Sequence, residues 1–166
     1  VPEGVALAAV LAGAGTGAAI DIRTRRIPNV ITFGTAALGL TLAAIGWSGV
    51  SPASSLVGLL LGLLLMLPGH FFGATGAGDV KLMAAVGAVL GLERIVQAFL
   101  LTAIAGGLLA VGVAIAKRRL GATVRRTGQL VTAPGDAKRE IEAPDVGNRF
   151  AYGPAIAVGA ALAALM

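Results

Sequence analysis

GATGAGDVKL, residues Gly73 to Leu82, sets an aspartate among glycines and between long apolar stretches. Residues 27 to 78 contain no Asp, Glu, Lys or Arg, and His70 is the one titratable side chain among them. An ionised carboxylate loses its hydration in such company, which is costly unless it meets a partner or a cavity. Asp79 therefore marks the place where a chain built for an apolar solvent does something other than cross it.

The solvent follows from composition. Of 166 residues, 57% are hydrophobic and only 13% charged, and the mean hydropathy is +0.90. A water-soluble domain of this length carries about twice that charge, so a lipid bilayer is the expected surroundings. The absence of cysteine excludes disulfides, thiolate zinc sites and a cysteine nucleophile. The net charge of +5 does not indicate nucleic acid. Its basic residues cluster between apolar runs, as membrane topology requires.

Working outward from Asp79, six apolar segments are legible: about Gly4 to Ile20, Val30 to Trp47, Ala53 to Phe72, Val80 to Leu92, Ile95 to Ala116 and Phe150 to Met166. Most approach the ~20 residues a spanning helix needs. The first lacks a basic stretch ahead of it and is expected to be a mature span, not a signal peptide. The fourth is short, and at ~1.5 Å per residue it covers only ~20 Å of a ~30 Å hydrocarbon core. GATGAGD is therefore expected to complete that crossing as non-helical backbone, tolerated at depth only where protein or water surrounds it. The expected fold is an all-α integral membrane protein, a bundle of six transmembrane helices with a short, glycine-initiated fourth helix. It forms one domain over residues 1–166, with residues 117–149 as a solvated loop containing Pro134, Gly135 and Pro144.

Charge asymmetry sets the orientation. If Asp21 to Asn29, the glycine cluster through Lys81, and Lys117 to Arg149 share one side, that side holds every Lys and Arg except Arg94. The positive-inside rule makes it cytoplasmic, with both chain ends outside. Asp21 then closes the first span and Asp79 opens the fourth at one level. Glycines at spacing four, Gly13 and Gly17, Gly58 and Gly62, Gly87 and Gly91, allow the close helix approach that would bring these acids together. At ~4 Å and an effective dielectric of ~20, two carboxylates repel by ~4 kcal/mol, so such a pair would share one proton. A proton-sharing pair can activate water with one member and polarise a carbonyl with the other.

Other residues carry plainer readings. Asp79 would also serve as a helix N-cap, and Asp21 as an interfacial charge at a helix end. Arg23, Arg25 and Arg26 read as topogenic anchors. Lys81 points away from Asp79 on a helix, either snorkelling or tuning the acid through space. His70 reads as structural, with no metal site and no cofactor expected. Gly13, Gly15 and Ala18 fit a dinucleotide fingerprint by accident, inside a span that has no βαβ unit.

The stretch AIDIRTRRIPNVIT, Ala19 to Thr32, resembles the first aspartate motif of the type IV prepilin peptidases. GAGD, Gly76 to Asp79, followed by Val80, Lys81 and Leu82, is similar to their GxGD motif. YGPAIAVG, Tyr152 to Gly159, resembles a third block, with Ala151 where the family often has proline. The resemblance implies a six-span aspartic endopeptidase that removes the short basic leader of prepilins at the cytoplasmic membrane face, the length matching the short members that serve tight-adherence (Flp) pili. It assigns Asp21 and Asp79 as catalytic, with Gly76, Gly78 and Lys81 in the active-site loop. Longer members carry an insert with paired cysteines and an N-methyltransferase activity. This chain has neither, and methylation is not expected.

Two other classes fit the same acids. A small transporter would use Asp21 and Asp79 to bind a proton or cation, and an inert subunit of a pilus machine would use neither. Both acids at one face, with none marking the other half of a pathway, argue against transport. Prepilin and the lipid bilayer are the expected partners, and nothing in the sequence sets an oligomeric state.

Overall fold

The computed structural model describes residues 2–116 and 151–166. The expected loop over residues 117–149 lies outside the described residues. All regular structure described is helical. Helix α1 (Pro2–Val10) runs through a π-helical turn (Leu11–Gly15) into α2 (Thr16–Thr24) as one rod. Helices α3 (Asn29–Ala44), α4 (Pro52–Phe71), α5 (Ala77–Ala116) and α6 (Gly153–Ala164) follow.

Local chemistry accounts for the helix ends. Pro28, extended at φ −63° and ψ 140°, precedes α3. Ser51 caps α4, its Oγ accepting the N–H of Ser54 at 3.1 Å, with Pro52 entering where no amide is needed. Gly73 closes α4 with φ +74°. Its N–H donates to the His70 carbonyl at 3.0 Å and that of Ala74 to the Gly69 carbonyl at 2.8 Å, the paired bonds of a Schellman ending.

Among the described residues, three helical stretches are long and apolar enough to cross a membrane: Gly4–Thr24, Pro52–Phe71 and Ala77–Val113. Helices α3 and α6 are shorter. The expected count of six separate helices is not confirmed, since the fourth and fifth apolar segments run on as two helical arms of α5. Gly91, at φ 74° and ψ −178°, breaks α5 into two arms. That conformation is open essentially to glycine alone. The break orphans the bond that Leu92 N–H would make to the Ala88 carbonyl, and two serines of α4 take up both halves. Leu92 N–H donates to Ser54 Oγ at 3.0 Å, and Ser55 Oγ donates to the Ala88 carbonyl at 2.5 Å.

The glycine cluster is also only partly as expected. Residues 72–76 form the turn, but Ala77, Gly78 and Asp79 already belong to the first turn of α5. The short fourth segment is instead explained by its place in the bundle. Residues 82–91 are all buried, with Leu82, Met83, Val86 and Val89 fully so. An apolar helix buried on every side is a core helix, and this arm meets α3 at Gly39 and α4 at Gly58 and Gly62. Gly58 and Gly87 face each other so closely that a Cβ on either would collide with the other's carbonyl oxygen. Gly62 likewise abuts the Met83 carbonyl and Gly13 the side chain of Thr35. The outer helix faces are apolar as well: Phe33, Leu60, Leu64 and Leu108 are each more than half exposed. An apolar exterior of this extent suits lipid and not water.

Candidate active site

Asp21 lies in the last turn of α2 and is 6% exposed. The chain ends that helix four residues later by turning Arg25 into the left-handed region at φ 52°, with the Arg25 N–H returning to the Asp21 carbonyl at 2.8 Å. The side chain of Asp21 points to a different part of the fold. Its Oδ2 accepts the N–H of Gly153, the first residue of α6, at 3.0 Å across 132 residues of sequence. The amides of a first helical turn have no partner within their own helix, and the helix dipole favours negative charge there.

Asp79 is 8% exposed and stands at the same kind of place, the beginning of α5. It is not the N-cap that its sequence position allows. Gly76 occupies the cap, and Asp79, three residues on, reaches back so that its Oδ2 accepts the Gly76 N–H at 2.9 Å. The Asp79 N–H donates in turn to the Gly76 carbonyl at 3.1 Å. This is the carboxylate half of a capping box. Each acid is thus buried, and one oxygen of each is oriented by an amide at a helix N-terminus. They are near enough for the charge of Asp21 to act on Asp79.

The glycines around them provide room. A Cβ on Gly153 would stand 2.9 Å from Asp21 Oδ2, and one on Gly76 3.3 Å from Asp79 Oδ2. A Cβ on Gly78 would come within 3.2 Å of the Ile27 Cβ. Ile27, itself buried, fits between Gly78 and Gly17 and so wedges the loop after α2 against the start of α5. Lys81 reaches the exposed start of α3. Its Nζ donates to Asn29 Oδ1 at 2.9 Å and sits 5.7 Å from the centre of the Phe33 ring. His70 Nδ1 lies 3.1 Å from the Thr75 carbonyl, tying the end of α4 to the turn before Asp79.

The sequence profile of the type IV leader peptidase family matches residues 7–111, well over half of the chain, and with it both aspartates. The chain belongs to that family. Together with the long apolar helices, this makes it a membrane peptidase of the type IV leader peptidase kind, for which prepilins are the implied substrates. No curated protein and no solved structure matches it.

For a leader peptidase, the matched region stops before two residues that the fold brings to the site. Gly153 holds Asp21. Tyr152, beside it, packs its ring on Gly106 in the second arm of α5 and lies within reach of the charge on Asp79. The second arm has therefore come back to the level at which the first began. Both residues open the block Tyr152 to Gly159 that the sequence singles out by resemblance, but that block carries no hint of which residue meets which acid. Pro154 in the first turn of α6 adds a local signal, which marks a helix N-terminus but not the carboxylate facing it. Asn29 was legible only as part of Ile27-Pro28-Asn29, without its lysine partner.

Proposed function

We infer that this leader peptidase is an aspartic endopeptidase whose catalytic pair is Asp21 and Asp79. The observation that carries the reading is the matched setting of the two acids: both buried, and each with one oxygen held by an amide at a helix N-terminus. Holding one oxygen by an amide orients the other for proton transfer. With one proton between them, the ionised carboxylate takes a proton from water as its oxygen attacks the scissile carbonyl. The protonated partner donates to the carbonyl oxygen, giving a neutral gem-diol. Collapse of the diol passes a proton to the leaving amine and returns the pair to its starting state. Gly76 and Gly78 leave room for Asp79 and for the packing of Ile27 in this loop.

The substrate we assign is a Flp-like prepilin, cut after its short basic leader at the cytoplasmic face. The orientation rests on Arg23, Arg25, Arg26 and Lys81 lying at the aspartate end of the chain's crossings. In this topology α5 crosses twice, reversing at Gly91, which gives six crossings from five helical rods. A glycine before the cut would ease opening of an extended segment in the substrate. The product is a pilin with a free, unmethylated N-terminus.

Purified protein in detergent, mixed with a prepilin, tests the reading. Asp21→Asn and Asp79→Asn should each abolish cleavage while leaving insertion and folding intact, and the double variant should be no worse, because parts acting as a unit are not additive. Activity should fall at both pH extremes, where the pair is doubly protonated or doubly ionised. Near-normal processing by a folded Asp79→Asn variant would remove the pair and leave Asp79 as a helix-capping residue. Ion flux through liposomes without cleavage would replace the peptidase by a transporter.

A further inference from the structure

Asp21 and Asp79 stand on segments that no single helix holds in register. The first is followed by non-helical residues 25–28, and the second is preceded by the turn over residues 72–76. Among the contacts that join these segments, two involve close neighbours of Asp79. One is apolar, Ile27 against Gly78. The other is the bond from Lys81 Nζ to Asn29 Oδ1, which spans 52 residues of sequence.

The geometry gives that bond a definite role. Lys81 lies two residues beyond Asp79, roughly 200° around the helix, so it reaches toward α3 and away from the acid. Asn29 is the first residue of α3 and is held from its own side as well. Its carbonyl accepts the Thr32 hydroxyl at 3.1 Å, and Pro28 restricts the backbone before it. Phe33, one turn on, offers its ring to the same ammonium. A lysine at a membrane interface ordinarily turns its head to water or headgroups. Here a side-chain amide and an aromatic face hold it over the start of α3.

We propose that Lys81 and Asn29 are positioning residues, a clamp between the two aspartate-bearing segments that sets the carboxylates at the separation needed to share a proton. The proposal rests on the catalytic pair described above. It predicts that the bond matters, not the charge alone. Losing either partner frees the loop after α2 to move against the start of α5. A misplacement near 1 Å costs on the order of a hundredfold in rate where geometry limits the chemistry.

Two measurements test it. The chain has no cysteine, so nitroxide labels on cysteines introduced at the exposed Thr24 and Ala74 report directly on the two segments. Lys81→Met and Asn29→Ala should each broaden the distance distribution between the labels, and Lys81→Arg, which keeps a donor, should broaden it less. Unchanged distributions in both variants would overturn the clamp. In prepilin cleavage, Lys81→Met and Asn29→Ala should each lose about tenfold or more in rate with similar pH profiles, and the double variant should match the singles. If Asn29→Ala cleaves like the parent while Lys81→Met shifts the pH profile, the lysine acts through its charge and the clamp is overturned. Broadened distributions in a protein whose cleavage does not depend on Asp21 and Asp79 would leave the clamp standing and remove the catalytic pair.

Discussion

Replacing Gly153 by alanine adds a single carbon in the most confined part of the site. That Cβ would stand 2.9 Å from Asp21 Oδ2, 3.0 Å from the Asp21 Cβ and 3.3 Å from the Ala18 Cα. Carbon contacts settle at ~3.5–4.0 Å, so the Asp21 side chain must retreat by roughly half an ångström or more. Ala18 belongs to a packed helix and cannot yield as readily as a carboxylate. The amide that orients Asp21 survives the substitution, and the acid keeps its chemistry but not its place. Overpacking of this kind costs ~1–3 kcal/mol in stability. Displacement toward 1 Å costs up to about a hundredfold in rate, or ~2.7 kcal/mol of transition-state stabilisation. The assay is the initial rate of prepilin cleavage at saturating substrate, with thermal unfolding followed on the same sample. Gly107→Ala is the matched control, since a Cβ there meets nothing within 4 Å. A folded Gly153→Ala enzyme cleaving within about twofold of the parent would refute the reasoning, because a hundredfold loss is what a misplaced catalytic acid should produce.

Three further outcomes follow from the fold. Ser54→Ala with Ser55→Ala removes the partners of the exposed Leu92 amide and the buried Ala88 carbonyl, and the buried carbonyl alone should cost ~1–3 kcal/mol, read by unfolding in mixed detergent; a loss below ~0.5 kcal/mol would show that the break at Gly91 needs no serine. The helix cannot escape by straightening, since 40 residues would reach ~60 Å, about twice the hydrocarbon thickness. Gly87→Val drives a side chain into the Gly58 carbonyl and should abolish stable folding, checked by size exclusion and protease resistance, whereas Gly112→Val, in open space, should be tolerated. For topology, Thr24→Cys should be shielded from a membrane-impermeant thiol reagent in intact cells and Ser51→Cys should react; the reverse pattern would move the aspartates off the cytoplasmic face.

Much of this protein was written in short sequence patterns. Hydropathy alone placed it in a membrane, because too few charges exist to cover a soluble surface. Helix limits were near to hand in Pro28-Asn29, in Ser51-Pro52 and in Gly73, since caps and endings depend on bonds among residues fewer than six apart. Asp21 and Asp79 stood out for the same reason, as acids beside long stretches without charge. Gly76, whose amide holds Asp79, lay in the same motif, but the long-range partners did not stand out. The bonds from Gly153 to Asp21 and from Lys81 to Asn29 cross 132 and 52 residues and exist only once the helices are packed. Hydropathy is also mute about which helix is central, because lipid is as apolar as a protein core and a span needs no polar face. The first arm of α5 is as apolar as its neighbours, yet among the described helices it alone is buried without interruption, along residues 82–91. Backbone contact through Gly58 and Gly87, with two serines accepting the break at Gly91, selects that arm as the core. Its position at the centre brings Asp79 to the level of Asp21.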